Sequence, residues 1–297
     1  MKVCGQEIKI QGRLIRIANL AADTYEFVDN PEETIEMLKK CPERIDLFTF
    51  MQRLPDTSPK YSYPMEWDNL AVLPVSTFEH WWTKQVNDKT RNMARRAEKK
   101  GVTIREVSFS DSLVQGIWGI YNECEVRQGK HYPHYGKDLA TVHNLTATFL
   151  DRSAFIGAYL DNLLIGFVKL HCDESRTQAG LVNILSLVQH RDKAPTNALL
   201  AAAARYCATK GIPYLVYSRY SDGNKERDSL MEFKEHNGFQ RVNLPRYYVP
   251  LTRVGWGAFR LGLHHRIVDH IPEPVLAKLR NARSLWYVIK LNMAKSN

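Results

Sequence analysis

Five short segments carry the side chains with which this chain could do chemistry. Lys234 stands in Glu232-Phe233-Lys234, within SLMEFKEHNGF. Beside a cleft such a lysine is a point charge for an anion or a forming oxyanion; alone on an amphipathic helix it is merely solvated. Tyr217-Ser218-Arg219-Tyr220 leaves a strand, where ligand groups collect. Arg219 can pair with a phosphate or carboxylate, and Tyr217 or Tyr220 can donate to an oxyanion or relay a proton; the same residues also suit a plain sheet edge. Arg191-Asp192-Lys193-Ala194-Pro195-Thr196-Asn197 opens a helix. Either Arg191 and Lys193 supply charge and Thr196 and Asn197 line an anion site at its start, or Thr196 is an N-cap and Pro195 a helix-entry residue. Arg127 precedes the polar-aromatic loop QGKHYPHYG, which holds His131, Tyr132, His134 and Tyr135. Two histidines three apart with no third ligand suitably spaced do not make a metal site; stacking and hydrogen bonding to a sugar or peptide is the alternative to a surface loop. His171 and Asp173 follow a strand, where an imidazole is a general base or, more simply, a satisfied structural group. There is no Ser/His/Asp or Cys/His arrangement, P-loop or dinucleotide fingerprint.

Elements must hold these groups. The 297 residues, 44% hydrophobic and 25% charged, suffice for one large or two small cores. No apolar run, Leu199 to Ala204 included, approaches the roughly 20 residues of a membrane span, and the first residues lack the apolar block of a signal peptide. Five scattered cysteines without a C-x-x-C pair read as reduced thiols, with no metal and a cytoplasmic setting. The net charge of +9 is concentrated: residues 84–105 and 251–297 each carry eight Lys/Arg against two acids. Two basic segments suit an anionic partner, whether phosphorylated ligand, nucleic acid or lipid surface, or else are solvated helix faces.

A strand is expected over Ile8–Ala18, a helix capped by Asn30-Pro31 to about Lys40, and strands at Ile45–Gln52 and Leu70–Val75. Ser76 and Glu79 form a capping box for one helix reaching Lys100. On it Phe78, Trp82, Val86, Met93 and Ala97 share an apolar stripe, Lys84, Arg91, Arg95 and Lys99 a basic one, and Arg96 with Lys89 lies near the apolar side. A strand at 102–107, helices at 111–127 and 137–150, and a hairpin with Asp161-Asn162 at its tip follow. Strand 179–188, helix 196–210, strand 212–217, helix 224–236 and strand 239–250 complete an α/β (α+β) arrangement on a mixed, mostly antiparallel sheet.

Within this order, FIGAYLDNLLIGFVKL, NALLAAAARYCATKGIPYLVYSRY and SLMEFKEHNGFQRV resemble the GNAT acyltransferase superfamily and, within it, the Fem-type aminoacyl transferases that build peptidoglycan bridges. KTRNMARRAEKKGVTIREV and IYNECEVRQGKHYPHYG resemble the basic helix and substrate-side loop of that group, so the likeness spans about 76–250. It implies a GNAT-like fold with an N-terminal GNAT-like or partial half (1–101), an acyltransferase domain (102–252) and a helical C-terminal tail (253–297). It implies transfer of an acyl or aminoacyl group from acyl-CoA or aminoacyl-tRNA to an amine on a sugar or peptide, in bacterial envelope or polysaccharide synthesis. The resemblance makes Lys234 a catalytic candidate; with the positions read above, Arg219 and Tyr220 are expected to be catalytic too, Arg191, Lys193, Thr196 and Asn197 to hold the donor, and Arg96, Arg127, His131, Tyr132, Tyr135 and Tyr217 to meet the acceptor. The family's Q/R-x-x-G-x-G/A loop is incomplete here: Ala194 and Thr196 replace its glycines, and Pro195 removes an amide donor. From 253 onward the chain is basic, aromatic and amphipathic, which suits peripheral contact with the inner membrane face and a lipid-linked acceptor, or packing on its own domain or a partner. The reading from another class is a non-catalytic, degenerate GNAT-fold module that binds RNA or anionic lipid.

Overall fold

The computed structural model describes residues 1–127, 129–221 and 229–265. The expected first strand is instead a set of three, β1 (Lys2–Val3), β2 (Gln6–Gln11) and β3 (Ile17–Leu20). Gly12 breaks it: its φ is +93°, and a Cβ there would lie 2.0 Å from the Ile15 carbonyl oxygen, so the chain must turn. Helix α1 (Pro31–Lys39) begins as its residues dictate, with Asn30 accepting from the Glu33 amide and Pro31 in the first turn. Strands β4 (Leu47–Met51) and β5 (Met65–Pro74) follow.

The single helix expected over 77–100 is two. Thr77, not Ser76, caps α2 (Phe78–His80), which widens into a π-helical turn at Trp81–Gln85; Val86 is then extended, and Asn87 caps α3 (Asp88–Lys99). The Arg91 guanidinium closes the break by donating to the carbonyls of Trp82, Thr83 and Val86. The register of the apolar stripe therefore changes: Trp81 rather than Trp82 is fully buried, with its indole N–H on the Asn237 carbonyl.

Strand β6 (Thr103–Val107) leads to α4 (Asp111–Asn122), the small hairpin β7 (Val126–Arg127) and β8 (Lys130–His131), and α5 (Leu139–Thr146). Strands β9 (Ser153–Leu160) and β10 (Leu163–Cys172) form the expected hairpin, with Asp161 and Asn162 both at positive φ in its tip. Then come β11 (Gln178–Ser186), a 3₁₀ turn at Val188–Lys193, α6 (Pro195–Lys210), β12 (Tyr214–Arg219), α7 (Ser229–His236), β13 (Gln240–Pro250) and α8 (Arg253–Arg260). The expected tail from 266 onward lies outside the described residues.

Among the described residues eleven strands make one sheet in the order β1-β2-β3-β4-β13-β5-β12-β11-β10-β9-β6. Only β3·β4 and β11·β12 are parallel. Helix α6 covers β9–β11 and α4 packs on β10 from the opposite face, since successive strand residues alternate sides: Tyr121 of α4 packs on Phe167, while Leu199 of α6 faces Gly166. On the α4 face, residues 21–29 cross β12 and β5, with Phe27 buried among Met51, Leu70, Val72, Val216 and Leu244.

Candidate functional site

Strands β11 and β12 are paired only at Gln178↔Tyr214, Ala179↔Leu215 and Gly180↔Val216. Both then leave the ladder for a local reason. Opposite β10, the register steps from Lys169↔Asn183 to Leu170↔Leu181, which makes Val182 a bulge; opposite β5 it steps from Val216↔Val72 to Arg219↔Leu70, with Ser218 left-handed at φ +49°. Bulges bend and twist their strands, so the two diverge. Residues Gln178–Leu181 are buried, whereas Val182–Leu185 are half-buried, as the wall of an open cleft must be.

Tyr25 closes the apex of that cleft. Its hydroxyl donates to the Leu181 carbonyl at 3.2 Å, and its ring lies where a side chain on residue 180 would be, 1.9 Å from an ideal Cβ. Gly180 is thus required by a close approach rather than by a turn. Burial pushes the Tyr25 phenol well above its ordinary pKa, reinforced by nearby Tyr217, so it stays a donor.

At the end of β12, Lys234 of α7 is only 3% exposed. Its ammonium donates to the carbonyls of Arg219 (2.5 Å) and Tyr220 (3.5 Å) and lies 5.1 Å from the Tyr217 ring centroid. A solvated lysine would have no such shell. Tyr220 donates to Glu235 at 3.1 Å, and its neighbour Ser221 is held by Asn69. Arg219, 49% exposed along its side chain, leans on Asp68 at 3.2 Å. Behind it Arg246 bridges Asp68 (2.9 Å) and Asp23 (2.7 Å). Burial raises the Asp23 pKa, with Arg246 opposing that shift through charge and hydrogen bonding. The four groups form a charge network in which two cations meet two carboxylates, which fixes Arg219 while leaving part of it open to an anion.

The β11 side has a different character. Arg127 donates to the carbonyls of Ser186 (2.9 Å) and Ile120 (2.6 Å), pairs with Glu123, and lies over the Tyr132 ring at 4.9 Å. Glu123 in turn accepts from the amides of Val188 (2.6 Å) and Gln189 (3.0 Å). Further along, the Leu187 amide bonds Ile165, His190 bonds Leu187, Ala194 bonds Arg191, and Asn197 bonds Ala194. Ala194 is left-handed at φ +52°, Pro195 has no N–H, and the Thr196 hydroxyl is within 3.0 Å of that of Ser186.

The structure therefore brings together Lys234, Arg219, Tyr220 and Tyr217 on one side of the cleft, and Arg127, Tyr132 and Thr196 around Ser186 on the other. Arg127, expected to meet the acceptor, has its guanidinium on the carbonyls of Ser186 and Ile120 and on Glu123. Arg96, Arg191 and His131 are exposed, Tyr135 is partly so, and Lys193 faces its neighbour Asp192 at 3.4 Å. His171 is a structural histidine, buried against Glu26 with the Phe149 ring 4.7 Å away, and Asp173 closes a turn by accepting from the Gln178 amide. Sequence reasoning missed Tyr25, Glu123, Asp68 and Arg246. Glu123 sat within a segment already singled out; the other three carry no local signal.

No family model matches the chain, and no curated protein is similar to it in sequence. Solved structures are similar in fold. FemX superposes with a TM-score of 0.60 at 10% identity over 86% of each chain. L-PGS from Bacillus licheniformis gives 0.55 at 11%, over 86% of this chain and 83% of that one. The C-terminal domain of a protein described as a lysylphosphatidylglycerol synthetase, from Agrobacterium fabrum, gives 0.53 at 13%, over 85% and 82%. At these identities the likeness is one of fold. The mixed, mostly antiparallel sheet with flanking helices is the arrangement expected from the sequence, and its sharing with L-PGS as well as FemX does not single out the Fem type.

Proposed function

We propose that the protein is an acyltransferase that moves an aminoacyl group from its ester on tRNA to an amine of a sugar or peptide acceptor. One observation carries the choice of donor over coenzyme A. A diphosphate is held by backbone amides at the start of the helix after the first cleft strand. Here Glu123 occupies the amides of Val188 and Gln189, neighbouring carbonyls occupy others, and Pro195 supplies none. A carboxylate in that position also repels phosphate oxygens. An ester donor needs no such cradle, because exposed cations such as Arg96 and Arg191 can meet its backbone.

In this reading the acceptor amine attacks the ester carbonyl held between β11 and β12. The C–N bond forms, the ester C–O bond breaks, and the amine proton passes to the departing ribose oxygen. Lys234 and the exposed part of Arg219 stabilise the negative charge that builds on the carbonyl oxygen; Tyr217 and Tyr220 line the same end of the cleft. Peripheral membrane contact, with a lipid-linked acceptor, is favoured by α8 and the turn after it: Val254, Trp256, Leu261 and Leu263 are exposed there beside Arg253 and Arg260.

The test is transfer of labelled amino acid from charged tRNA to an amine-bearing acceptor, alongside equilibrium titration with acetyl-CoA. Turnover from the tRNA ester with no saturable acetyl-CoA binding is expected, and Lys234→Ala lowers turnover about 100-fold or more with the fold intact. Saturable acetyl-CoA binding in the micromolar range would refute the choice of donor. Salt-sensitive RNA binding with no turnover would favour the non-catalytic module instead.

A further inference from the structure

The sheet face that carries Arg246 also carries a cluster that the proposed reaction does not use. Glu66 lies near the start of β5, directly opposite Arg246 of β13. Helix α8 ends over this face in a tight C-terminal turn: the Leu263 amide bonds the Ala258 carbonyl, the Gly262 amide bonds Phe259, and Gly262 takes φ +69°. That is the turn glycine favours at a helix end. It reverses the chain, so His264 and His265 both reach back to one oxygen, Glu66 Oε1, with their Nε2 atoms at 3.0 and 3.1 Å.

We propose that Glu66, His264 and His265 form a binding site for a divalent transition-metal ion of the zinc class. The donor set is two imidazoles and one carboxylate, which such ions prefer. The spacing fits as well. Metal–ligand bonds of about 2.0–2.2 Å put neighbouring ligand atoms about 2.9–3.5 Å apart, the range of the two nitrogen–oxygen separations, and all three ligand atoms lie within 4.8 Å of one another. The rings are already oriented. His264, its side chain 1% exposed, is held by Tyr248 at 4.6 Å and Phe259 at 5.0 Å, and the two imidazoles are 4.1 Å apart. His265 and Glu66 are each 36% exposed along their side chains, which leaves an open side where water completes the coordination. The ion ties the turn after α8 to β5, across 198 residues of chain. It acts as a clip just ahead of the basic C-terminal segment rather than as part of the cleft.

The experiment is titration of the full chain with Zn²⁺ alone, followed by calorimetry and thermal unfolding, and with Co²⁺, followed by visible d–d absorption. The expected result is one equivalent bound, d–d bands that report nitrogen and oxygen ligands, and a rise in Tm of about 5 °C once free Zn²⁺ is 100-fold above Kd. Glu66→Gln keeps the shape of the site and removes the carboxylate; His265→Ala removes an exposed ligand with little demand on the core. Each lowers affinity at least 10-fold. No binding by the wild-type chain up to 100-fold molar excess overturns the proposal. So does equal binding by both variants, which would place the ion elsewhere, at the cysteines for instance.

Discussion

Tyr25 and Gly180 offer the sharpest test of how the cleft is built. An alanine at position 180 puts a methyl 1.9 Å from Tyr25 Cδ1 and 2.4 Å from Cε1, well inside contact distance. The backbone at 180 has no positive φ, so the residue itself is unstrained and the clash is the whole cost. Moving a packed ring aside costs about 1–3 kcal/mol by overpacking, and losing the Tyr25 bond to Leu181 adds about 0.5–1.5 kcal/mol. Gly180→Ala is therefore expected to lose about 1.5–4.5 kcal/mol. Tyr25→Ala loses about 3–5 kcal/mol from the vacated space. In the double variant the new methyl enters that space, so the two losses are not additive and fall short of their sum by about 1–3 kcal/mol. Urea unfolding of the four proteins at constant m-value measures this. Additive losses would mean that Tyr25 does not lie against Gly180, and the account of the cleft apex would fail. In the proposed reaction the donor carbonyl sits in this cleft, so turnover by Gly180→Ala is expected to fall more than its folded fraction does.

Arg246→Met leaves Asp23 and Asp68 buried without their shared cation, a loss of about 3–5 kcal/mol at neutral pH. Because Asp23 is already raised by burial, its native state binds a proton before the unfolded chain does; stability relative to wild type should recover as pH falls through that range, and denaturant melts from pH 7 to pH 4 would expose the opposite trend if the network is misassigned. Asp46 behaves in the reverse sense. Burial opposes its charge, but bonds from the Arg16 amide, Arg44 and Thr252 hold its pKa below the ordinary value, so its contribution is full above about pH 4 and lost below it. Asp46→Asn should be destabilised at pH 7 and converge on wild type in acid; a pH-independent difference contradicts this. Arg91→Ala removes the group that closes the break after the π turn, and is expected to cost about 1–3 kcal/mol, read as a fall in thermal midpoint; an unchanged midpoint shows that Asn87 caps the break unaided.

Local residue chemistry determined much of this protein before any folding is considered. Turn formers at Asp161-Asn162 and the Asn30-Pro31 start mark boundaries because each acts on its own few residues, as does Gly211, the left-handed residue that ends α6; strand alternation followed from the need to bury one face. Lys234 was readable as a lysine after Phe233 on a helix, but its burial against the Arg219 and Tyr220 carbonyls was not. What failed locally did so where distant groups decide. The helix over 77–100 breaks because Arg91 reaches back to three carbonyls and Asn87 caps anew, which outweighs a periodicity that reads as continuous. The carbonyl that Arg127 meets belongs to Ser186, 59 residues on, which nothing beside Arg127 in the chain announces. Tyr25 on Gly180, Asp68 between two arginines, and Glu66 beneath two histidines pair residues roughly 150 to 200 positions apart. Such contacts leave no period or spacing in the chain, because only the order of strands in the sheet, with β5 inserted between β13 and β12, brings their backbones within a side chain's reach.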